Sequence, residues 1–192
     1  MKTGKKNYLK VVIVFTFCLL ARLIPFRMPN IEPILATAMP ISRIHGYIFT
    51  FSFAVLSILS FDLITGTLGM QTLFTTLSYG LVGIFSVKYF SSFAENKSIG
   101  ALQYARFAVF STLFYDTMTG LTAGPLFFNQ TFTEALVGQI PFTIFHLIGN
   151  VMFAVILSPA IYHFLIRKKN LPIQVERKDL SLITNPINLK II

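Results

Sequence analysis

Residues 46–66 read GYIFTFSFAVLSILSFDLITG, and residues 100–120 read GALQYARFAVFSTLFYDTMTG. At a constant offset of 54 they share nine identities in 21 positions. Gly46 meets Gly100, Phe53-Ala54-Val55 meets Phe107-Ala108-Val109, Ser57 meets Ser111 and Leu59 meets Leu113. Asp62 then meets Asp116, and Thr65-Gly66 meets Thr119-Gly120. Each copy is an apolar run of membrane-helix length that ends abruptly in Asp-x-x-Thr-Gly. A carboxylate and a turn after such a run mark a helix surfacing at a membrane face. Two copies imply a duplicated helical hairpin, a plan that many transporters use.

Composition agrees. The chain has 192 residues, 54% hydrophobic and 12% charged, with a mean hydropathy of +0.71. Soluble domains carry about 25% charged residues. Long uncharged runs recur along the whole chain, so the excess is not one buried core. The formal charge of +9 does not point to nucleic acid once its placement is considered. Lys2, Lys5, Lys6 and Lys10 precede the first apolar run, and Lys88 and Lys97 flank a central loop. Arg167, Lys168, Lys169, Arg177, Lys178 and Lys190 follow the last run. These clusters mark cytoplasmic loops. The single cysteine, Cys18, excludes an internal disulfide and a cysteine metal cluster.

The expected fold is all-α, polytopic, with about six transmembrane segments. The first helix covers about 9–25 and is read as retained, since no A-x-A-like cleavage site follows it. Pro25, Arg27, Pro29, Asn30 and Pro33 make a rigid polar loop. Residues 32–43 form a short second segment, too short to cross a ~30 Å hydrocarbon core squarely. It is thinned, re-entrant or broken at Pro40. Further helices are expected at about 46–62, 71–90 and 99–117, then an apolar stretch over 131–166. Thr131-x-x-Glu134 is a capping box that starts the last helix near 132, with a possible kink at Pro141. The repeat hairpins cover about 46–90 and 99–166 of a single membrane domain, 1–169, and 170–192 is a polar cytoplasmic tail. If the short segment counts as a crossing, every lysine lies inside. Arg22, Arg27, Glu32, Asp62, Asp116 and Glu134 then face outward, both termini are cytoplasmic, and the membrane is the plasma membrane.

In that map the outer loops 22–33, 62–71 and 116–131 converge. Asp62 and Asp116 either contact a ligand or merely accept backbone N–H bonds in their turns. Arg22 sits near the end of an apolar helix, so it snorkels, meets Glu32, Asp62 or Asp116, or contacts a substrate anion. Gln139, Thr143, His146 and Asn150 share one face of the last helix. That face turns either to a wet cavity or to hydroxyls of the fourth helix, which carries its own stripe at Thr72, Thr75, Thr76 and Tyr79. Candidate substrate-binding residues are therefore Arg22, Arg27, Asn30, Glu32, Asp62, Thr72, Tyr79, Asp116, Gln139, His146 and Asn150. Gly80-x-x-Gly83 and Ser42-x-x-x-Gly46 are candidate sites of close helix approach.

Arg106 is aligned with Ser52, so the repeat does not demand an arginine there. No P-loop, H-E-x-x-H or G-x-S-x-G motif occurs, and the histidines at 45, 146 and 163 lack metal-ligand spacing. We expect no enzyme, no cofactor and no metal.

The pattern resembles the substrate-binding S component of energy-coupling factor (ECF) vitamin transporters. The resemblance rests on the chain length, the short second segment, the outer loops, and the late stretch Gln139-Ile-Pro-Phe to His146-Leu-Ile-Gly-Asn150. Residues 21–33, ARLIPFRMPNIEP, with Ser60-Phe61-Asp62 and Ile140-Pro141-Phe142, look closer to an uncharacterised membrane family related to those components. The resemblance covers 9–166. It implies a small vitamin-like solute bound at the outer side, and as partners a transmembrane coupling subunit and two ATPases. The Ala-x-x-x-Ala spacing that docks the coupling subunit in several S components is missing from Thr16–Ala21. A self-sufficient proton-coupled transporter, and a membrane enzyme or assembly factor, are the alternatives.

Overall fold

A computed structural model describes residues 8–25, 32–93 and 99–166. Among them every regular element is helical. The helices are α1 (Tyr8–Leu23), α2 (Ile34–Ile44), α3 (Tyr47–Thr65), α4 (Met70–Ser91), α5 (Ala101–Asp116), a π-helical turn (Thr117–Leu121), α6 (Ala123–Phe127) and α7 (Phe132–Ile166). By length and composition, α3, α4 and α7 can each cross a membrane. Large apolar side chains point outward along the bundle, with Ile48 at 85% exposure and Leu9, Leu63 and Ile156 also exposed. Water would penalise such a surface and lipid would not. This is the fold of a helical membrane protein.

The shortest of the expected segments lies at the centre. Residues 34–42 of α2 are all buried, and the helix packs on α3, α4 and α7. An 11-residue helix rises only about 16 Å, but α2 is sheathed by protein on every side and needs no match to lipid thickness. It runs back along α1. Glu32, just before it, pairs with Arg22 at the end of α1, and His45, just after it, lies 6.1 Å from the Tyr8 ring at the start of α1. The helix is not broken at Pro40. Proline has no N–H for the carbonyl of Ala36, and the Ser158 hydroxyl of α7 donates to that carbonyl instead, at 2.9 Å.

The hairpins α3–α4 and α5–α7 pack closely. A Cβ added to Gly83 would lie 3.1 Å from the Thr50 carbonyl oxygen of α3, and one on Gly80 would meet the Phe51 ring. The expected glycine seam on α4 is real, whereas Gly46 has open space around its Cβ position. Backbone cannot yield as a side chain can, so Gly83→Val should cost about 1–3 kcal/mol. Gly138→Ala, in open space on α7, should gain up to about 1 kcal/mol from helix propensity. Thermal unfolding in detergent would read both, and equal midpoints would refute the seam.

The twin Asp-x-x-Thr-Gly motifs end differently. Gly66 adopts φ +70°, and its N–H bonds the Asp62 carbonyl, stopping α3. In the second copy the chain does not stop at Gly120. It continues through the π-helical turn into α6, and Gly120 is not at positive φ. The expectation of an abrupt end there is thus corrected. A Cβ on Gly120 would meet only the terminal amide of the Gln139 side chain of α7, a flexible end that can move aside, so this glycine is not held by a left-handed turn as Gly66 is. The capping box is present. The Thr131 N–H donates to Glu134 Oε2 at 2.8 Å, and the Glu134 N–H to Thr131 Oγ1 at 3.2 Å. Beyond it α7 runs unbroken through Pro141 and Pro159.

Candidate functional site

One end of the bundle holds a cavity of about 260 Å³ between α1, α3, α4, α5 and α7. Of the candidate residues, Arg22, Glu32, Asp62, Thr72, Tyr79 and His146 line it. Asp116 and Asn150 lie behind it, in the seam between α5 and α7. Gln139 lies farther out, donating to Thr143 at 3.2 Å. Arg27 and Asn30 lie outside the described residues. The reading missed Tyr115, Phe142 and Gln71, which also line the cavity. Phe142 stands one turn before His146, and Tyr115 directly precedes Asp116, so both were within reach of the pattern.

Arg22 is buried, 6% exposed, near the end of an apolar helix. Such a charge needs partners, and it has three. Nη1 donates to the Ser57 carbonyl at 3.0 Å, Nη2 to Glu32 Oε1 at 3.3 Å, and the guanidinium lies 4.0 Å from the Phe61 ring centroid. Arg22 thereby ties α1, the entry to α2, and α3 together at the cavity wall. Its Nε is buried without a hydrogen-bond partner.

The two repeat carboxylates part company. Asp62 Oδ2 accepts from the Thr72 hydroxyl of α4 at 2.7 Å, while Thr72 Oγ1 accepts the Gly69 N–H at 3.1 Å. The turn is closed by the Asp62 backbone carbonyl, not by its side chain. A carboxylate has about four acceptor sites, so Asp62 keeps capacity for a solute. Asp116 is buried, 2% exposed, and its Oδ1 lies 2.6 Å from His146 Nδ1. One turn deeper in the same antiparallel seam, Asn150 Nδ2 donates to Thr112 Oγ1 at 2.8 Å. The polar stripe of the last helix therefore bonds to α5, not to the hydroxyls of α4. Asp116 Oδ2 and Asn150 Oδ1 are buried without hydrogen-bond partners.

Aromatic rings fix the rest of the wall. Tyr79 and Tyr115 lie with centroids 4.4 Å apart. The His146 ring stands edge-on to Tyr115, 5.5 Å at 80°, and to Phe142, 5.7 Å at 79°. With Nδ1–H committed to Asp116, a neutral His146 offers Nε2 as an acceptor. The cavity thus combines ring faces with the Asp62 carboxylate and the His146 imidazole. Its volume is just under the usual range of about 300–1,000 Å³ for ligand pockets, which suits a compact solute. Among the described residues no three His, Cys, Asp or Glu groups converge on a metal position.

Among the described residues the carboxylates gather at one end of the bundle and the cations, apart from Arg22 in its pair with Glu32, at the other. Glu32, Asp62, Asp116 and Glu134 lie toward the cavity end. Lys10 donates to the Phe164 carbonyl at the far end of α7, Arg43 lies over the Tyr162 ring, Lys88 is near the end of α4, and Arg106 is in the second turn of α5. Comparison with protein-family models, with curated proteins and with solved structures finds no match. The class rests on the fold and cavity alone: a helical membrane protein with a polar, aromatic-walled cavity at its acidic end.

Proposed function

We propose that this chain is the solute-capture subunit of an importer of the energy-coupling factor type. It takes up a small, planar, vitamin-like solute at the cavity between α1, α3, α4, α5 and α7. The single observation that carries this reading is that cavity: five helices converge on it, with Tyr79, Tyr115 and Phe142 as walls and the Asp62 carboxylate and the His146 imidazole among its lining. Rings favour a flat solute, and acceptors favour one with N–H donors or a positive charge. The sorted charges support six crossings, α2 included, with the lysine end toward the cytoplasm. Energy would come from a coupling subunit and ATPases.

The test is native mass spectrometry of the protein purified in detergent without added ligand. A metabolite bound one-to-one is expected, and an empty protein that binds nothing from a metabolite extract would overturn the reading. With the identified metabolite, Asp62→Asn should weaken binding about tenfold, the loss of one charge-assisted hydrogen bond. Stability should hold, because Asp62 is only half-buried. Unchanged affinity would remove Asp62 from the contact set.

A second reading is favoured by the Asp116–His146 pair, since buried acid–histidine pairs serve as proton relays in transporters. A self-sufficient proton-coupled transporter would move solute in vesicles holding this chain alone, driven by a pH gradient. A capture subunit would not.

A further inference from the structure

A second depression lies on the outside of the bundle at the lysine end, between α4 and α5, with a volume of about 520 Å³. It is lined by Phe85, Lys88, Tyr89, Arg106, Phe107 and Phe110. Lys88 and Arg106 are both exposed, and neither forms an ion pair or side-chain hydrogen bond among the described residues. Two cations thus share one aromatic groove without an anion.

The internal repeat sharpens this. Ser52, Phe53 and Leu56 of α3 are the counterparts of Arg106, Phe107 and Phe110. In the first copy that face lines a groove with Val11, Val12 and Phe15 of α1, and no charged residue lines it. In the second copy the counterpart face is shared with α4 instead, and it carries the arginine. The residues around it on these helices are exposed and apolar: Leu81, Leu102, Val109 and Leu113. A protein interface has a polar rim on all sides of its apolar core, whereas the flanks of this groove toward the middle of the bundle, at Leu81, Val109 and Leu113, are apolar. Arg106 is one turn and a half inside α5, where an unpaired charge facing hydrocarbon is costly. Its stem can reach toward the membrane surface, the level at which lipid phosphates lie.

We propose that this groove is a binding site for an anionic glycerophospholipid. Lys88 and Arg106 hold the phosphate, and Phe85, Phe107 and Phe110 bed an acyl chain. Guanidinium and ammonium are the usual partners of a phosphate oxygen, and basic pockets between membrane helices recur as headgroup sites. The inference is independent of what the acidic-end cavity binds.

The test uses the full chain in detergent micelles doped with phosphatidylglycerol or phosphatidylcholine, read by native mass spectrometry under rising collision energy. The wild type should retain phosphatidylglycerol at least tenfold better than phosphatidylcholine. Lys88→Gln with Arg106→Gln should abolish that preference. Both side chains are exposed, so the variant should fold. A second reading guards against misfolding: phosphatidylglycerol should raise the wild-type unfolding temperature and leave that of the variant unmoved. Equal retention of the two lipids, or a variant that keeps the preference, would overturn the site. So would displacement of the lipid by millimolar inorganic phosphate, which would mean a plain anion site. Photocrosslinking from position 106 that captures a protein and no lipid would also overturn it.

Discussion

Arg22→Met should cost the fold about 3 kcal/mol, the lower end of the penalty for breaking a buried ion pair by removing one partner. The arginine is 6% exposed and Glu32 is 17% exposed. Removal takes away the guanidinium hydrogen bond to the Ser57 carbonyl and the ion pair to Glu32, at a place where three segments meet. Glu32 retains access to cavity water, which keeps the loss from rising further. Methionine preserves most of the apolar stem, so the change reports on the guanidinium rather than on volume. The paired variant Arg22→Met with Glu32→Gln should recover at least half of the loss, because the carboxylate that faced the guanidinium is neutralised together with it. Equilibrium unfolding in detergent measures both. A single-variant loss under about 1 kcal/mol would show that the pair behaves like a solvated surface bridge, and the joint it forms would not hold the cavity wall.

Asp116→Asn should reduce affinity for the captured metabolite by about 10- to 100-fold, although Asp116 does not line the cavity. Its carboxylate holds His146 Nδ1 at 2.6 Å and so fixes which ring nitrogen is left for the solute. An asparagine keeps the shape but supplies no charge, and its amide can present N–H where the imidazole needs an acceptor. Hydrogen bonds to charged groups contribute about 1.5–3 kcal/mol, which converts to that range of affinity. His146→Ala should lose a similar factor, and the double variant should be little worse than either single one. That non-additivity is the sign of two groups acting as a unit. Titration calorimetry reads it. If the two losses simply add, Asp116 acts on the fold and not through His146. Activity alone would not separate these cases, so the coupling energy is the decisive number.

Much of the architecture was legible in the sequence. The helix positions follow from apolar run lengths, the start of α7 from Thr131 and Glu134, and the glycine seam of α4 from Gly80 and Gly83. Arg22, Glu32, Asp62, Thr72, Tyr79 and His146 were each legible as polar or aromatic candidates, but the stripes that carry Thr72, Tyr79 and His146 left open whether they faced a cavity, and it is the packing of the helices that brings the six together. Tyr115 and Phe142 were passed over because aromatic residues are common in this chain, 21 of them phenylalanine, and composition hides the few that face a cavity.

By itself, the sequence determined that this is a helical membrane chain with a duplicated segment, and where along each helix the polar groups fall. Those are properties of local pattern: apolar length, capping residues, and the spacing of charges. Only the tertiary structure decided that the short second segment, α2, is the central helix, and that the carboxylates of the two motif copies do different work. Asp62 meets a threonine on α4, and Asp116 meets a histidine on α7. The choice of neighbour is written in no local motif. In an apolar bundle every lipid-compatible face looks alike, and contacts that are small and scattered, such as a glycine against a carbonyl or a serine on a proline-freed oxygen, select which faces join.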